Sequence, residues 1–280
     1  MRVIDPHVHV WKNDPAFPWP AETTRPPAED RTAEMLLELM AANGVERTVL
    51  VQVIHYRWDN SYVADCLRRY PGTFMGVGRV NPEDPAAPDH LSRWTEEHGL
   101  HGVRLSPAVD ARGDWFRGPL MPPLFARAAQ LGVPMLILTG PQRLPDLARL
   151  IERQPDLDVV IDHMADVHPG DAAGRRLLVD MARYPRVFVK ISHTWSLSRE
   201  EYPWRDTHGL VEEVYQAFGA QRLMWGTDWP VCLARASYPQ TLAVVRDAMA
   251  FFTPEDREWI LGKTVLRLWP FDRGERGARR

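Results

Sequence analysis

Cysteine is scarce in this sequence, which holds only Cys66 and Cys232 in 280 residues. Two isolated thiols exclude a scaffold stapled by several disulfides, and they exclude a metal site built from a set of thiolates. We therefore expect both cysteines to be reduced and to serve as ordinary core residues.

Long apolar runs and a surplus of positive charge are lacking as well. No stretch approaches the roughly 20 apolar residues of a membrane span, and the opening MRVIDPHV has no apolar signal-peptide core. The formal net charge of -3 is mixed in sign along the chain, without the basic stripe that binds phosphates. We expect a cytoplasmic protein whose partner is a small molecule rather than a membrane or a nucleic acid, and the sequence allows a homo-oligomer.

What the chain does have is a regular alternation of short β-branched runs with amphipathic stretches. Eight runs are typical of strands: residues 2–8, 47–54, 74–80, 101–106, 134–139, 158–163, 187–192 and 222–228. Helical patterns lie between them, and in the first of these Thr32 is placed to cap the helix and Gly44 to end it. Strands this apolar are covered on both faces, which indicates a parallel sheet with right-handed crossovers.

Eight βα units in under 300 residues predict an α/β fold, specifically a (β/α)8 TIM barrel formed by one domain over residues 1–271. An open doubly wound sheet is the alternative. The proline-rich segment 12–30 is long for a βα loop, and we expect it to fold over the barrel mouth as a lid. Residues 272–280, DRGERGARR, predict a disordered basic tail.

Polar residues collect at the predicted carboxyl ends of the strands, where the active sites of such barrels lie. The set comprises His7 and His9 on strand one, Arg104 on strand four, Asp162 and His163 on strand six, and Asp228 on strand eight. Because alternate side chains of a strand point the same way, we expect Asp5, His7 and His9 to share a face. A single histidine at a strand end is ordinarily structural, whereas three histidines converging with an aspartate predict a catalytic site.

Further side chains near the same strand ends are candidates for substrate contact, namely His55, Arg79, His193 and Trp229. Arg104 has two interpretations: an anchor for a substrate carboxylate, or the partner of Asp228 or another buried acid. Arg79, Arg104 and Arg143 suit an acidic substrate, whereas the many tryptophans after strand ends suit a sugar ring equally well.

Four segments carry a resemblance to a known family: IDPHVHVW (4–11), HGVRLS (101–106), VVIDHMADV (159–167) and AFGAQRLMWGTDWP (217–230). In this combination they resemble the amidohydrolase superfamily, in its amidohydrolase-2 branch of TIM-barrel metal-dependent hydrolases, over nearly the whole chain. Within that branch the chain resembles the lactonases, a group that includes pyrone-dicarboxylate lactonase, fuconolactonase and sulfomuconolactonase. The resemblance implies a hydrolase that opens the ring of a small acidic or sugar lactone.

The residues and the resemblance together suggest roles. Asp228 matches the aspartate that activates the attacking water, and His163, with His7 or His9, is placed to polarise the lactone carbonyl. If a metal is bound, the resemblance implies His7, His9 and Asp228 as ligands of one divalent zinc or manganese ion.

The metal is the open point of this interpretation. Metal-using members commonly carry a histidine at the end of strand five, where this chain has Leu138 and Thr139. We therefore favour hydrolysis that does not strictly require a metal. A metal-dependent decarboxylase of the same branch and a non-catalytic binding barrel are the alternatives.

Overall fold

Eight strands alternate with helices in the computed structural model, which describes residues 1–106 and 115–271. The strands are β1 (Ile4–Val8), β2 (Arg47–Val51), β3 (Phe74–Val77), β4 (Val103–Leu105), β5 (Met135–Ile137), β6 (Val159–Ile161), β7 (Val187–Ile191) and β8 (Leu223–Trp225). Each predicted strand contains one observed strand, so the (β/α)8 prediction is confirmed. Most of the predicted runs extend past the carboxyl end of the observed strand, where the chain leaves the ladder.

The α-helices pack around the strands. In chain order they are α1 (Ala33–Asn43), α2 (Ser61–Arg69), α3 (Ala87–Glu96), α4 (Met121–Leu131), α5 (Leu144–Arg153), α6 (Ala172–Asp180), α7 (Thr194–Leu197), α8 (His208–Phe218), α9 (Tyr238–Ala243), α10 (Pro254–Glu258) and α11 (Thr264–Leu268). As predicted, the Thr32 side chain accepts from the Met35 N–H at the start of α1, and Gly44 ends the helix with φ 67°. Among the described residues, no helix is both long and apolar enough to cross a membrane.

Two parallel sheets close into the barrel through short backbone contacts. β1, β2 and β3 form one sheet, and β4 through β8 form the other. The Arg104 N–H donates to the Gly78 carbonyl at 2.8 Å, which joins β4 to the chain after β3. The His9 N–H donates to the Trp229 carbonyl at 2.7 Å, which closes the barrel between β1 and the chain after β8. This second seam places the segments that carry His9 and Asp228 side by side.

The barrel interior is filled in layers. Its lower part is apolar and includes Ile4, Val49, Val51, Met75, Val77, Leu136, Val160, Phe188 and Met224, with Val265 and Trp269 from the end of the chain packed against them. The indole N–H of Trp269 donates to the His101 carbonyl at 3.1 Å. Above this layer, Arg104, Asp162 and Lys190 form a charged layer whose side chains are at most 3 % exposed. The mouth residues therefore lie above a charged layer, which in turn lies above an apolar core.

The segment 12–30 lies over the residues that follow β2. Trp19 stacks on Tyr56 with ring centroids 4.2 Å apart, and Phe17 packs on Tyr62 at 5.0 Å. The Thr23 hydroxyl donates to the His55 carbonyl. These contacts place the segment beside the residues that follow β2, and its role as a lid stays a prediction. The predicted tail, 272–280, lies outside the described residues.

One local prediction is wrong. Asp5 does not share a face with His7 and His9, because the register of β1 against β2 shifts between Asp5 and Val8. The Asp5 carboxylate instead accepts from the Thr227 hydroxyl at 2.6 Å and from the Tyr238 hydroxyl on α9 at 3.0 Å. Period-two alternation fails at such an irregularity, so the acid ties β1 to the segment after β8 and to α9.

We predict that Trp269→Ala lowers the free energy of unfolding by about 3–5 kcal/mol, because it leaves a large cavity under the barrel core. Urea denaturation at constant pH measures the loss. Met35→Ala, at a position on α1 that is 40 % exposed, is the control and is expected to change stability by less than about 0.5 kcal/mol. A loss for Trp269→Ala no larger than that of the control would contradict the assignment of Trp269 to the core.

Candidate active site

Three of the mouth residues occupy the left-handed region of backbone conformation, with φ 53° at His163, 62° at His193 and 56° at Asp228. His163 begins a run of four such residues that ends at Asp166. Each non-glycine residue in this region costs about 1–2 kcal/mol, so the turn persists only because its surroundings hold it. The strained turns aim these three side chains at one point in the mouth.

Asp228 is the centre of the site, and its two carboxylate oxygens have different surroundings. Oδ2 accepts a hydrogen bond from His193 Nε2 at 2.5 Å. Oδ1 lies 3.0 Å from His9 Nε2 and 3.4 Å from His7 Nε2, but no described residue is aligned to hydrogen-bond to it. One oxygen is therefore held by a neighbour and the other is available to a ligand.

His9 is oriented by the backbone of β2. Its Nδ1 lies 2.7 Å from the Val51 carbonyl oxygen, which can only accept, so Nδ1 carries the hydrogen. In the neutral ring, Nε2 is then a lone pair that faces Asp228 Oδ1. A ligand with a donor group, such as a water, can therefore bind to Asp228 Oδ1 beside this nitrogen.

His7 has different neighbours. Its Nδ1 lies 2.9 Å from Lys190 Nζ and 3.4 Å from Asp162 Oδ1, and its side chain is fully buried. Burial, reinforced by the charge of Lys190, lowers the pKa of His7 to about 3, so the ring is neutral. No described residue is aligned to hydrogen-bond to its Nε2.

The charged layer beneath these rings is centred on Asp162. Arg104 Nε donates to Asp162 Oδ2 at 2.9 Å, and Lys190 Nζ lies 3.1 Å from Oδ1. Burial alone would raise the pKa of Asp162, but the charges of Lys190 and Arg104 outweigh it and hold that pKa well below the usual range. Of the two interpretations of Arg104, the contact with a buried acid is what the geometry contains.

His163 and His193 form a stacked pair. Their rings are parallel within 4° with centroids 3.6 Å apart, and His163 Nδ1 shares a hydrogen bond with the Ser192 hydroxyl at 2.7 Å. Burial and the neighbouring rings hold the pKa of His163 well below its ordinary value. Burial also acts to lower the pKa of His193, but Asp228 and Asp166 outweigh it and raise that pKa to about 9. One imidazole of the stack is thus neutral and the other is an imidazolium.

The remaining predicted contacts line the mouth in different ways. Arg79 is 1 % exposed, and its guanidinium lies 4.9 Å from the ring centre of Trp58. Burial and the positive charges of Arg104 and Arg57 lower the pKa of Arg79 to about 9. Three guanidinium groups in reach of one another indicate a cationic patch on this side of the mouth.

His55 and Trp229 contribute less directly. The His55 ring lies 6.4 Å from Trp11 and 6.5 Å from Trp19, under the segment 12–30. Trp229 is 2 % exposed and packs in the apolar cluster, while its backbone carbonyl accepts from His9. Substrate contact by these two side chains stays a prediction.

Sequence reasoning missed Lys190 altogether, and it placed His193 at the rim rather than on Asp228. The available signal for Lys190 was a lysine in an otherwise apolar strand, VFVKIS, which ordinarily reads as a strand with one solvated face. For His193 no signal existed, because its aim depends on a left-handed backbone that a single sequence does not reveal.

The predicted metal ligands pass one test and fail another. His7, His9 and Asp228 offer three donor atoms within 4.8 Å of one another, and the separations of 3.0 and 3.4 Å match the roughly 3.3 Å between ligands on a tetrahedral zinc ion. A zinc-binding histidine normally donates its other N–H to an acceptor, as His9 does to Val51. The nearest neighbour of His7 Nδ1 is instead the Lys190 ammonium at 2.9 Å, and the Asp162 carboxylate lies farther away at 3.4 Å. His7, His9 and Asp228 in this arrangement therefore do not fit a metal ion, and we assign no step of the reaction to a metal.

The pKa of His193 predicts how stability depends on pH. Because the folded pKa of about 9 exceeds the ordinary 6.5, protonation of His193 stabilises the fold fully below pH 6.5, and this contribution is lost as the pH rises through 9. The shift corresponds to an upper limit of about 3 kcal/mol. Urea denaturation between pH 6 and 10 should show this loss in the native chain and not in His193→Asn. Parallel stability profiles for the two proteins would contradict the ion pair.

Comparison with known proteins tests the resemblance. The Amidohydrolase family model matches residues 4–271. The chain is 29 % identical to L-fucono-1,5-lactonase of Burkholderia ambifaria over 96 % of each protein. It is 28 % identical to 4-sulfomuconolactone hydrolase of Hydrogenophaga intermedia, over 81 % of this chain and 74 % of that one.

A solved structure gives the same fold. An amidohydrolase of Burkholderia multivorans, 24 % identical, matches with a TM-score of 0.81 in a crystal with bound HEPES and 0.79 in one with bound zinc. In both cases 96 % of this chain and 99 % of the other are covered. The family model spans almost the whole chain, and the protein therefore belongs to the amidohydrolase-2 family, whose members among its distant relatives include lactone hydrolases.

Proposed function

We propose that the protein is a hydrolase that opens the ring of a small lactone bearing an acidic group. The observation that carries this proposal is Asp228 Oδ1, an oxygen of a buried carboxylate that lies 3.0 Å from His9 Nε2 and to which no described residue is aligned to hydrogen-bond. A water bound there is polarised by the ionised carboxylate and, when His9 is neutral, by the lone pair of its imidazole as well. A lactone is activated enough for attack by such a water.

The first step is attack of this water on the lactone carbonyl. Asp228 is a weak base on its own, since the neighbouring His193 charge keeps its pKa well below the usual range despite burial. It remains ionised at neutral pH and orients the water, and the proton lost on attack is shared between Asp228 and His9. Positioned acid–base groups of this kind contribute about 10²–10⁴-fold to the rate.

Carbonyl polarisation falls to His7 and His163, whose rings lie 4.6 Å apart beside Asp228. Both rings are neutral, and an N–H on either can donate to the oxygen that gains charge as the tetrahedral intermediate forms. Each such donor, held in a site shielded from bulk water, is worth roughly 2.7–4 kcal/mol. This is the role that a Lewis acid supplies in metal hydrolases.

Departure of the ring oxygen needs a proton, and His193 is the source. Its imidazolium gives a proton to the ring oxygen as the C–O bond breaks, yielding a hydroxy acid. The proton taken from water then passes from Asp228 back to His193 across their 2.5 Å hydrogen bond. The cycle leaves each residue in its starting protonation state and consumes one water.

The acidic substrate class follows from the cationic patch. The charges of Arg104 and Arg57 act on the buried Arg79 guanidinium, and an anionic ligand beside Arg79 offsets their effect where a neutral one does not. One relative, 4-sulfomuconolactone hydrolase, acts on an acidic lactone by its name, and another, L-fucono-1,5-lactonase, on a sugar lactone. The patch favours the acidic class.

We predict that Asp228→Asn lowers kcat on the accepted lactone by about 10²–10⁴-fold while substrate binding persists. Asparagine tolerates the left-handed backbone at this position, so the variant is expected to fold. Initial rates and equilibrium binding measure the two effects. Asp89→Asn, whose side chain is 80 % exposed, is the control with unchanged kcat. Equal activity of Asp228→Asn and the control would overturn the assignment, and absence of activity on every acidic and sugar lactone would overturn the function.

We predict that Arg79→Met raises KM for a carboxylated or sulfonated lactone by at least about 10-fold, because a hydrogen bond between charged groups is lost. For a neutral lactone of the same ring size the KM should change little. The surface variant Arg93→Met, at a side chain 67 % exposed, is the matched control. An equal rise of KM on both substrates would argue against an anion site at Arg79.

A further inference from the structure

Lys190 is an unusual residue in this chain. The sequence contains three lysines among its 34 basic residues, and Lys190 alone of the three is fully buried. It lies on β7, two residues beyond Phe188 of the inner core, and its Nζ belongs to the charged layer under the mouth. Nearly all basic residues of this chain are arginines, yet the basic residue on β7 inside the barrel is a lysine.

The contacts of Lys190 fix the direction of one hydrogen bond. Its Nζ lies 2.9 Å from His7 Nδ1 and 3.1 Å from Asp162 Oδ1, and Asp162 is also held by Arg104. An ammonium group has three donors and no acceptor, so the nitrogen of His7 that faces it must accept. Asp162 Oδ1 lies farther from His7 Nδ1, at 3.4 Å, so the closer ammonium sets the role of this nitrogen. A neutral His7 therefore carries its hydrogen on Nε2.

The neighbouring His9 has the opposite arrangement. Its Nδ1 donates to the Val51 carbonyl at 2.7 Å, so a neutral His9 presents a lone pair at Nε2. In their neutral forms the two histidines of the HVH segment thus differ in which nitrogen is protonated: His7 presents an N–H to the mouth, and His9 presents an acceptor. A metal held by both would need lone pairs on both Nε2 atoms.

We propose that Lys190 is a positioning residue that holds His7 with its hydrogen on Nε2. His7 then donates to the lactone carbonyl oxygen. It cannot bind a metal through Nε2, because that nitrogen carries a hydrogen and has no free lone pair. The claim that His7 donates to the carbonyl, the carbonyl-donor half of the proposal, rests on the proposed function. The tautomer of His7 and the claim that it does not bind a metal, the metal half, do not. The fully buried, unpartnered Nε2 of His7 supplies the second observation, since a donor in that position lacks an acceptor until a ligand arrives.

The direct test is ¹⁵N NMR of wild-type protein labelled at histidine, which distinguishes the two neutral tautomers by the chemical shifts of the ring nitrogens. Comparison with His7→Gln and His9→Gln assigns the signals. We expect hydrogen on Nε2 of His7 and on Nδ1 of His9. A hydrogen on Nδ1 of His7 overturns the proposal, and because the wild-type protein is used, this result does not depend on whether a Lys190 variant folds.

The variant test compares Lys190→Met with Lys263→Met, which removes an exposed lysine paired with Glu258. In Lys190→Met, His7 is free to donate from Nδ1 to Asp162 and to present a lone pair at Nε2. We expect its zinc affinity, measured by competition with a chromophoric chelator, to rise at least about tenfold, the size typical of groups that orient metal ligands. Lys263→Met should match the wild type. Unchanged zinc affinity in Lys190→Met overturns the metal half of the proposal.

Kinetics separate this proposal from the proposed function. On an accepted lactone without added metal, Lys190→Met should lose kcat by at least about tenfold with a smaller change in KM, since one oxyanion donor is misdirected. Unchanged kcat overturns the carbonyl-donor half. If no lactone is hydrolysed by the wild type, the function fails, while the NMR and zinc results still decide the tautomer and metal claims.

Discussion

The buried carboxylate of Asp162 is the constraint on which the mouth of this barrel depends. An unpaired anion inside the barrel would cost far more than the fold can supply, so its two oxygens must be compensated where they lie. Arg104 from β4 and Lys190 from β7 meet it from two sides. Once both cations are fixed in this way, Lys190 still has an N–H that can donate to His7. The charged layer therefore determines which ring nitrogen of His7 carries the hydrogen.

The second anion, Asp228, is compensated differently. His193 supplies a full positive charge to one of its oxygens, and the other oxygen is left to the mouth. The two buried carboxylates are thus balanced by Lys190, Arg104 and His193, and Arg79 and Arg57 add further positive charge. A site with this balance has little need of a dication and a good fit for an anionic substrate. The same charge pattern that weakens the case for a bound metal strengthens the case for an acidic lactone.

Much of this arrangement could be predicted from the sequence. All eight strands, the capped first helix and the meeting of His7, His9, His163 and Asp228 follow from periodicity and from the rule that barrel chemistry sits at carboxyl strand ends. What could not be predicted depends on backbone irregularities. A register shift in β1 turns Asp5 away from the histidines, and left-handed turns bring His193 onto Asp228. The role of Lys190 could not be predicted, because a lysine in a strand usually indicates a solvated face. In this protein the closed barrel buries that face.

The central claim is that this set of side chains opens a lactone without a bound metal. The most direct measurement is the turnover rate of wild-type protein dialysed against a chelator, with the metal content determined on the same sample. The account predicts that the rate per chain is retained when the metal content is far below one ion per chain. A rate that falls in proportion to the metal removed, and that returns when zinc or manganese is added back, would contradict it.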